Sequence, residues 1–268
     1  MPETRGSSPP PVQSVNRAID ILLAFNAAHP ELSLSELADT VGLPLSSTHR
    51  LARTLVERGL LRQDDWGTYA LGTRLLELGG LVSNSSPLIG LTADTVRAVA
   101  DSTGETILVA GVNWIDNSVV IMRRVDSVHP LSVASPVGKR SALASGCIGK
   151  AVLSGLDVEE SDALIPRIHL VRRTPDTVID LDTLNRQVAQ ARRRGWATDN
   201  NEYIPDVSGV AVPVSAGGRP LGAVAVIVPT ARGAKTRLAE IGAMLTDLAA
   251  TITPSADNHS HGRRRKSL

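Results

Sequence analysis

The sequence predicts an α+β protein in two parts, an N-terminal winged helix-turn-helix unit and, beyond a connecting helix, a larger unit built on a mixed sheet. Residues 33–59 read as two short helices about a Gly-containing turn, and residues 60–71 read as a hairpin. Farther on, Val210–Ser215 and Leu221–Val228 are near-continuous Val/Ala/Ile runs, the pattern of strands buried on both faces.

In chain order, residues 1–13 are Pro/Ser-rich and read as a disordered tail. Val15, Ala18, Ile19, Leu22 and Phe25 recur with helical spacing, so an amphipathic helix is expected to about Ala28 with Ser14 as its N-cap. Ser33 and Glu36 have capping-box spacing, and Leu37, Ala38 and Val41 mark the buried side of the next helix. Gly42 can take the left-handed conformation that ends it, and Pro44 suits the first turn of its successor. That successor turns Leu51 and Leu55 inward, and Gly59 closes it. Leu60–Gln63 and Thr68–Leu71 flank an Asp/Gly turn with Trp66 at its tip, which makes the wing and completes a domain over residues 14–72.

Residues 73–84 form a linker helix, and the Ser/Asn/Pro break that follows opens a second domain over residues 85–253. There a helix is expected over Leu88–Ala100 and a hairpin from Thr106–Gly111 and Ser118–Arg123, with Leu131–Ala134 as a possible third strand. Helices follow at Gly146–Leu153, at Val158–Ile165 capped by the Asp157/Glu160 pair, and at Leu181–Arg194 between Asp180 and Gly195. A closing helix over about Lys235–Ile252 buries Leu238, Ile241, Leu245, Leu248 and Ile252, and residues 254–268 are a basic tail.

Composition bounds the function. A chain of 268 residues with 42% hydrophobic and 21% charged residues can bury a core, and no apolar run reaches the ~18 residues of a membrane span. The first residues lack the apolar core of a secretory signal, and a lone cysteine, Cys147, excludes an internal disulfide and suits a reducing cytoplasm. Residues 1–82 hold seven Lys/Arg against nine Asp/Glu, which is not the basic domain of a strong nonspecific nucleic-acid binder. Positive charge is local, however: Arg50, Arg53, Arg58 and Arg62 face only Glu57. Nucleophile elbows, phosphate-binding loops and zinc-protease motifs are absent and the six histidines are scattered, so neither an enzyme, nor a metal site, nor a cofactor is expected.

Three blocks of residues together resemble the IclR family of bacterial transcriptional regulators over about residues 12–252. The first runs through Val15-Asn16-Arg17-Ala18, Leu34-Ser35-Glu36-Leu37-Ala38, Gly42-Leu43-Pro44, Thr48, Arg50-Leu51 and Gly59-Leu60-Leu61 to Tyr69-Ala70-Leu71-Gly72. The second is Gly149-Lys150-Ala151; the third is Arg194-Gly195-Trp196-Ala197 with Glu202 and Ala211-Val212-Pro213-Val214. The resemblance implies a linker helix that helps dimerise, a GAF-like C-terminal domain that binds a small effector, and no catalysis. A regulator of this kind, a repressor in the reading favoured here, acts as a homodimer or dimer of dimers on a palindromic double-stranded operator. The alternatives are a protein-interaction module and a DNA binder without an effector.

Ser46, Ser47, Thr48, His49 and Arg53 are expected to enter the major groove while Arg50 or Arg17 grips phosphate, with Tyr69 of the wing added to the contact set. Thr48 suits packing in the helix turn equally well. Trp66 has no favoured role, and a solvated run is the commoner fate of a tail such as residues 263–266.

Effector contacts are expected from Ser145, Gly146 and Cys147 at a helix start, from Asp199 of the Asp-x-x-Glu stretch, and from Gly209, Ala225 and Ile227 on the central strands. Where family members that sense small keto acids carry two alternating serines, this chain has Ala225 and Ile227, and Gly209 stands where Cys is frequent. Loss of a buried hydroxyl costs a small acid ~1–3 kcal/mol, so an effector larger or more apolar than pyruvate or glyoxylate, an organic acid with an apolar body, is expected. Cys147 itself reads as a small buried hydrophobe.

Overall fold

The structure, a computed structural model, describes residues 12–250. Two compact units divide between Ser85 and Ser86. The expected Ile252, His259, His261 and residues 254–268 lie outside the described residues, as do residues 1–11.

In the first unit, α1 (Gln13–Leu23), α2 (Leu34–Val41) and α3 (Leu45–Glu57) pack with a three-stranded antiparallel sheet of β1 (Glu31–Leu32), β3 (Tyr69–Leu71) and β2 (Leu61–Gln63), in that order. Ile21, Leu37, Ala52, Leu61 and Tyr69 close its core. The Ser33/Glu36 capping box forms in full, and Gly42 ends α2 at φ 64°. Four expectations fail. Val12, not Ser14, precedes α1, and its last turn stops at Leu23 because Asn26 Oδ1 accepts from the amides of Ala28 and His29 in a competing turn. Pro44 is the residue before α3, not within its first turn. Val15 and Ile19 face solvent, while Ile21 and Phe25 are buried.

The connecting α4 (Arg74–Asn84) buries none of its residues and exposes Leu76, Leu78, Leu81 and Val82.

The second unit is a six-stranded antiparallel sheet in the order β6 (Arg140–Ala142), β5 (Ser118–Val125), β4 (Thr106–Asn113), β9 (Arg219–Pro229), β8 (Val207–Ala216) and β7 (Ala197–Asn200). Both faces are covered, as the apolar runs required. Val224, Val226 and Val228 point to a core shared with α5 (Pro87–Leu91), α6 (Ala93–Thr103) and α10 (Lys235–Ala250). Ala223, Ala225 and Ile227 point the other way, to a core shared with α7 (Gly146–Ser154) and α9 (Leu181–Arg194). Alternation along one strand thus sends Val224, Val226 and Val228 to one face and Ala223, Ala225 and Ile227 to the other, where the two alanines let α7 come close to the sheet.

Here too the sequence reading needs correction. The single helix expected over residues 88–100 is broken at Thr92, whose buried hydroxyl bonds the Leu88 carbonyl at 2.7 Å. Leu131–Ala134 is not a strand: it sits between Pro130 and Pro136, and β6 takes the edge of β5 instead. This strap is held by Arg232, which donates to the Leu131 carbonyl at 2.9 Å and pairs with the fully buried Glu105. Asp157 makes no side-chain cap to α8 (Val158–Leu164), and the Glu160 side chain pairs with Arg219 rather than turning back to the Asp157 amide. By contrast, Asp180 caps α9 by accepting from the Thr183 hydroxyl at 2.6 Å and the Thr183 amide at 2.8 Å, and these two bonds, the hydroxyl's first, hold its carboxyl below the usual range.

Candidate functional site

The exposed side of α3 is set by its own spacing. Thr48, Ala52 and Leu55 are its buried stripe, so Ser46, His49, Arg50 and Arg53 fall together on the outer one, with Ser47 half-buried at its margin. Two expected DNA contacts do not belong to this surface. Thr48 is fully buried and its hydroxyl bonds the Pro44 carbonyl at 3.2 Å, closing the helix turn. Tyr69 is 1% exposed, packed in the core behind the wing, where burial raises its phenol. A residue in so short a strand shows its inward face only once the wing is paired. Trp66, at the wing tip, is exposed, and the Asp64 carboxylate shapes that tip by accepting from the Trp66 and Thr68 amides. Arg17, on α1, is half-buried.

The charge of this face is lower than the arginine count suggests. Arg53 pairs with Glu57 at 3.0 Å, and Arg62 with Glu31 at 2.9 Å. Both pairs are exposed, so exchanging either carboxylate for a phosphate costs no more than ~1 kcal/mol.

In the second unit a cavity opens between α7 and the sheet. It has about 540 Å³ of space between atoms, counting the part open to solvent. Leu108, Val119, Ile121 and Ile227 make an apolar wall, and Ser145, Gly146, Cys147 and Asp199 gather at the start of α7. Five of the seven expected effector residues therefore line one space. Gly209 and Ala225 do not: Ala225 is fully buried in the core under α7, and Gly209 lies beneath Ile227 and Cys147. A Cβ on Gly209 would meet Ile227 Cδ1 at 2.8 Å and Cys147 Sγ at 2.9 Å, so the large residue at position 227 fills the room above the glycine.

Asp199 is 6% exposed, and a Cβ on Gly146, itself at φ 64°, would stand 2.6 Å from its Oδ2. Burial first, then the neighbouring Glu202, pushes the Asp199 carboxyl up to about 6. Its Oδ1 accepts from the Glu202 amide at 2.8 Å. The turn is held from below by Lys150, 2% exposed, which donates to the Glu202 carboxylate at 2.7 Å and to Gln187 Oε1 at 2.8 Å. It is held from the side by Thr177, whose hydroxyl donates to the Glu202 carbonyl at 2.7 Å. Cys147 is buried, and desolvation drives its thiol far above the ordinary range, which leaves it an inert hydrophobe.

Sequence reasoning missed Lys139, Tyr203 and Ser208, all of which line the cavity. Lys139 ends the irregular strap before β6, and no spacing marks such a position. Tyr203 follows Glu202 directly, and that proximity was the available signal. Ser208 is buried and its hydroxyl lies 3.0 Å from Asn200 Oδ1 and from Thr230 Oγ1.

Comparison with known proteins agrees with both halves of this arrangement. The profile of the IclR helix-turn-helix domain matches residues 14–65, and that of the bacterial transcriptional regulator IclR C-terminal domain matches residues 81–254. The chain belongs to the IclR family. The transcriptional repressor IclR of Escherichia coli is 29% identical over 244 residues, covering 90% of this chain and 89% of the repressor. Among solved structures, an IclR-type regulator from Alicyclobacillus acidocaldarius superposes with a TM-score of 0.78 at 22% identity, covering 91% of this chain and 98% of the other. An IclR homolog from Microbacterium hydrocarbonoxydans, crystallised with 4-hydroxybenzoate, gives 0.73 at 22% identity, covering 89% and 100%. Like its IclR relatives, the protein is a DNA-binding transcriptional regulator and not an enzyme. Its second unit has the GAF-like fold of the IclR C-terminal domain. Among the described residues no helix is long and apolar enough to cross a membrane.

Proposed function

We propose that α3 reads a palindromic operator through Ser46, Ser47, His49 and Arg53, with Arg50 and Arg17 on phosphate, and that occupancy of the cavity beside α7 alters operator affinity. The observation that carries the first part is the exposed stripe of α3, where Ser46, His49, Arg50 and Arg53 stand together with the half-buried Ser47 at its margin. Thr48 and Tyr69 are left out of the contact set for the packing reasons above. The exposed apolar side chains of α1 and α4, Val15 and Ile19 on one and Leu76 and Leu81 on the other, supply faces for a dimer, and a dimer matches a two-fold operator. This reading is of a cytoplasmic repressor, acting as a dimer or a dimer of dimers.

The effector is a small organic acid with an apolar body. The apolar wall and Ile227 support that, since the wall offers no hydroxyl where Ile227 stands. A fold relative holding 4-hydroxybenzoate is consistent with a ligand of this type. Any effector works only by binding the DNA-competent and incompetent arrangements unequally.

Footprinting of the region upstream of the protein's own gene, with and without candidate acids, tests both parts. Protection of two half-sites that is lost in Arg53→Ala but kept in Thr48→Val is the expected result. Equal loss in both variants would place the reading face elsewhere.

A further inference from the structure

The effector cavity is electrically polarised in a sense that ties down how a ligand lies in it. At the α7 end the chain's own carboxylate already stands where a helix start would favour an anion: Asp199 Oδ2 sits against Gly146, and Glu202 follows in the same turn. Two carboxylates there face one ammonium, that of Lys150, which is spent on Glu202 and Gln187. A ligand carboxylate brought to this end would meet like charge in a partly dry site.

The other end has the opposite sign. Lys139 lines the cavity with its Nζ 4.8 Å from the centroid of the Tyr203 ring, and among the described residues it has no carboxylate partner; the exposed Arg173 guanidinium packs on the same ring at 4.6 Å without lining the cavity. Burial first, then Arg173, lowers the Lys139 ammonium below its ordinary range, the condition of a cation short of a counter-ion. Tyr203 stands between the two groups: its Cβ lies against the Gly146 position and its ring carries Lys139, while its hydroxyl, shut off from water, has no hydrogen-bond partner among the described residues.

We propose that the ligand of this cavity is bipolar, with its anionic group held at Lys139, an apolar body along Leu108, Ile121 and Ile227, and a hydroxyl or N–H donor turned to Asp199. The assignment rests on the cavity being the effector site. It makes Lys139 and Asp199 specificity-determining residues, one selecting for a charge and the other for a donor.

Four six-carbon probes separate the terms: ω-hydroxyhexanoate, hexanoate, hexanediol with a hydroxyl at each end, and adipate. Calorimetry or ligand-observed NMR on the full-length dimer is expected to rank ω-hydroxyhexanoate at least about tenfold ahead of the other three, with adipate penalised by its second carboxylate. Lys139→Met is expected to erase the lead over the diol, and Asp199→Asn the lead over adipate. Equal binding of all four, a lead for adipate, or no binding by any of them overturns the proposal. Ile204→Trp, which widens a side chain of the cavity wall, distinguishes the two levels. If it abolishes binding while Lys139→Met and Asp199→Asn leave the ranking unchanged, the polarity is wrong and the effector site stands. If it leaves binding untouched, the ligand lies elsewhere and both fall.

Discussion

The exchange of volume between Gly209 and Ile227 is open to a direct test. The two residues are cross-strand partners, Gly209 on β8 and Ile227 on β9, and Ile227 Cδ1 lies 2.8 Å from where a Cβ on Gly209 would be. Gly209→Ala therefore forces Ile227 and Cys147 to give way. Overpacking of this kind costs ~1–3 kcal/mol, offset by ~0.5–1 kcal/mol for removing a glycine's unfolded-state freedom. Ile227→Val removes the offending Cδ1 and alone costs ~0.5–1.5 kcal/mol. In the double variant the clash with residue 227 is gone and only the Cys147 Sγ contact at 2.9 Å remains. The two changes are thus expected to couple by about 1 kcal/mol, the double variant being more stable than the sum of the singles predicts. Urea unfolding of all four proteins measures it. Additivity within ~0.3–0.5 kcal/mol would refute the exchange and return Gly209 to the cavity lining.

Three further outcomes follow from the same packing. Because the Asp199 carboxyl is raised to about 6 from an ordinary 3.8, the folded state binds the proton more tightly, so its contribution to stability is greatest below 3.8 and falls as pH rises to 6. Asp199→Asn removes a penalty of up to ~3 kcal/mol, so thermal unfolding is expected to show a stabilised variant at pH 7.5 whose advantage vanishes by about pH 4; a pH-independent difference would contradict the buried-charge account. Lys150→Met leaves the Glu202 carboxylate buried without its partner and is expected to cost ~3–5 kcal/mol by denaturant titration, most of it recovered in Lys150→Met/Glu202→Gln. Glu105→Gln replaces a carboxylate that accepts from Arg232 Nε and Nη2, both at 2.8 Å, and from Arg237 at 3.1 Å. Both arginines keep some solvent, so ~2–3 kcal/mol is expected, with faster proteolysis of the strap at residues 126–139 as the local readout.

Local chemistry was enough to predict most of the architecture. The Ser33/Glu36 box, Gly42, Asp180 and Gly195 punctuate helices with groups that act within one turn of the chain, so their effect is legible without any tertiary contact. The apolar runs of β8 and β9 likewise declare a sheet covered on both faces, because no other environment accepts them. The family resemblance then supplied the division into a reading unit and a sensing unit. The sequence misled wherever two partners compete for one group: Asn26 ended α1 early, Glu160 left its cap for Arg219, and β6 took the edge that Leu131–Ala134 was expected to fill.

What the tertiary structure alone decided is which side of each residue faces the ligand or the solvent. Thr48 and Tyr69 are polar enough to belong to a DNA surface, yet packing buries both. Gly209 and Ala225 share a sheet face with Ile227, but only Ile227 reaches the cavity, because its side chain lies over Gly209 and the core under α7 encloses Ala225. Lys139, from a strap with no periodicity, meets Tyr203 and Arg173 across gaps of 64 and 34 residues in sequence. Spacing along a chain determines periodic faces within an element. Contacts between elements depend on packing that the spacing does not encode, and the polarity of the cavity arises from such contacts.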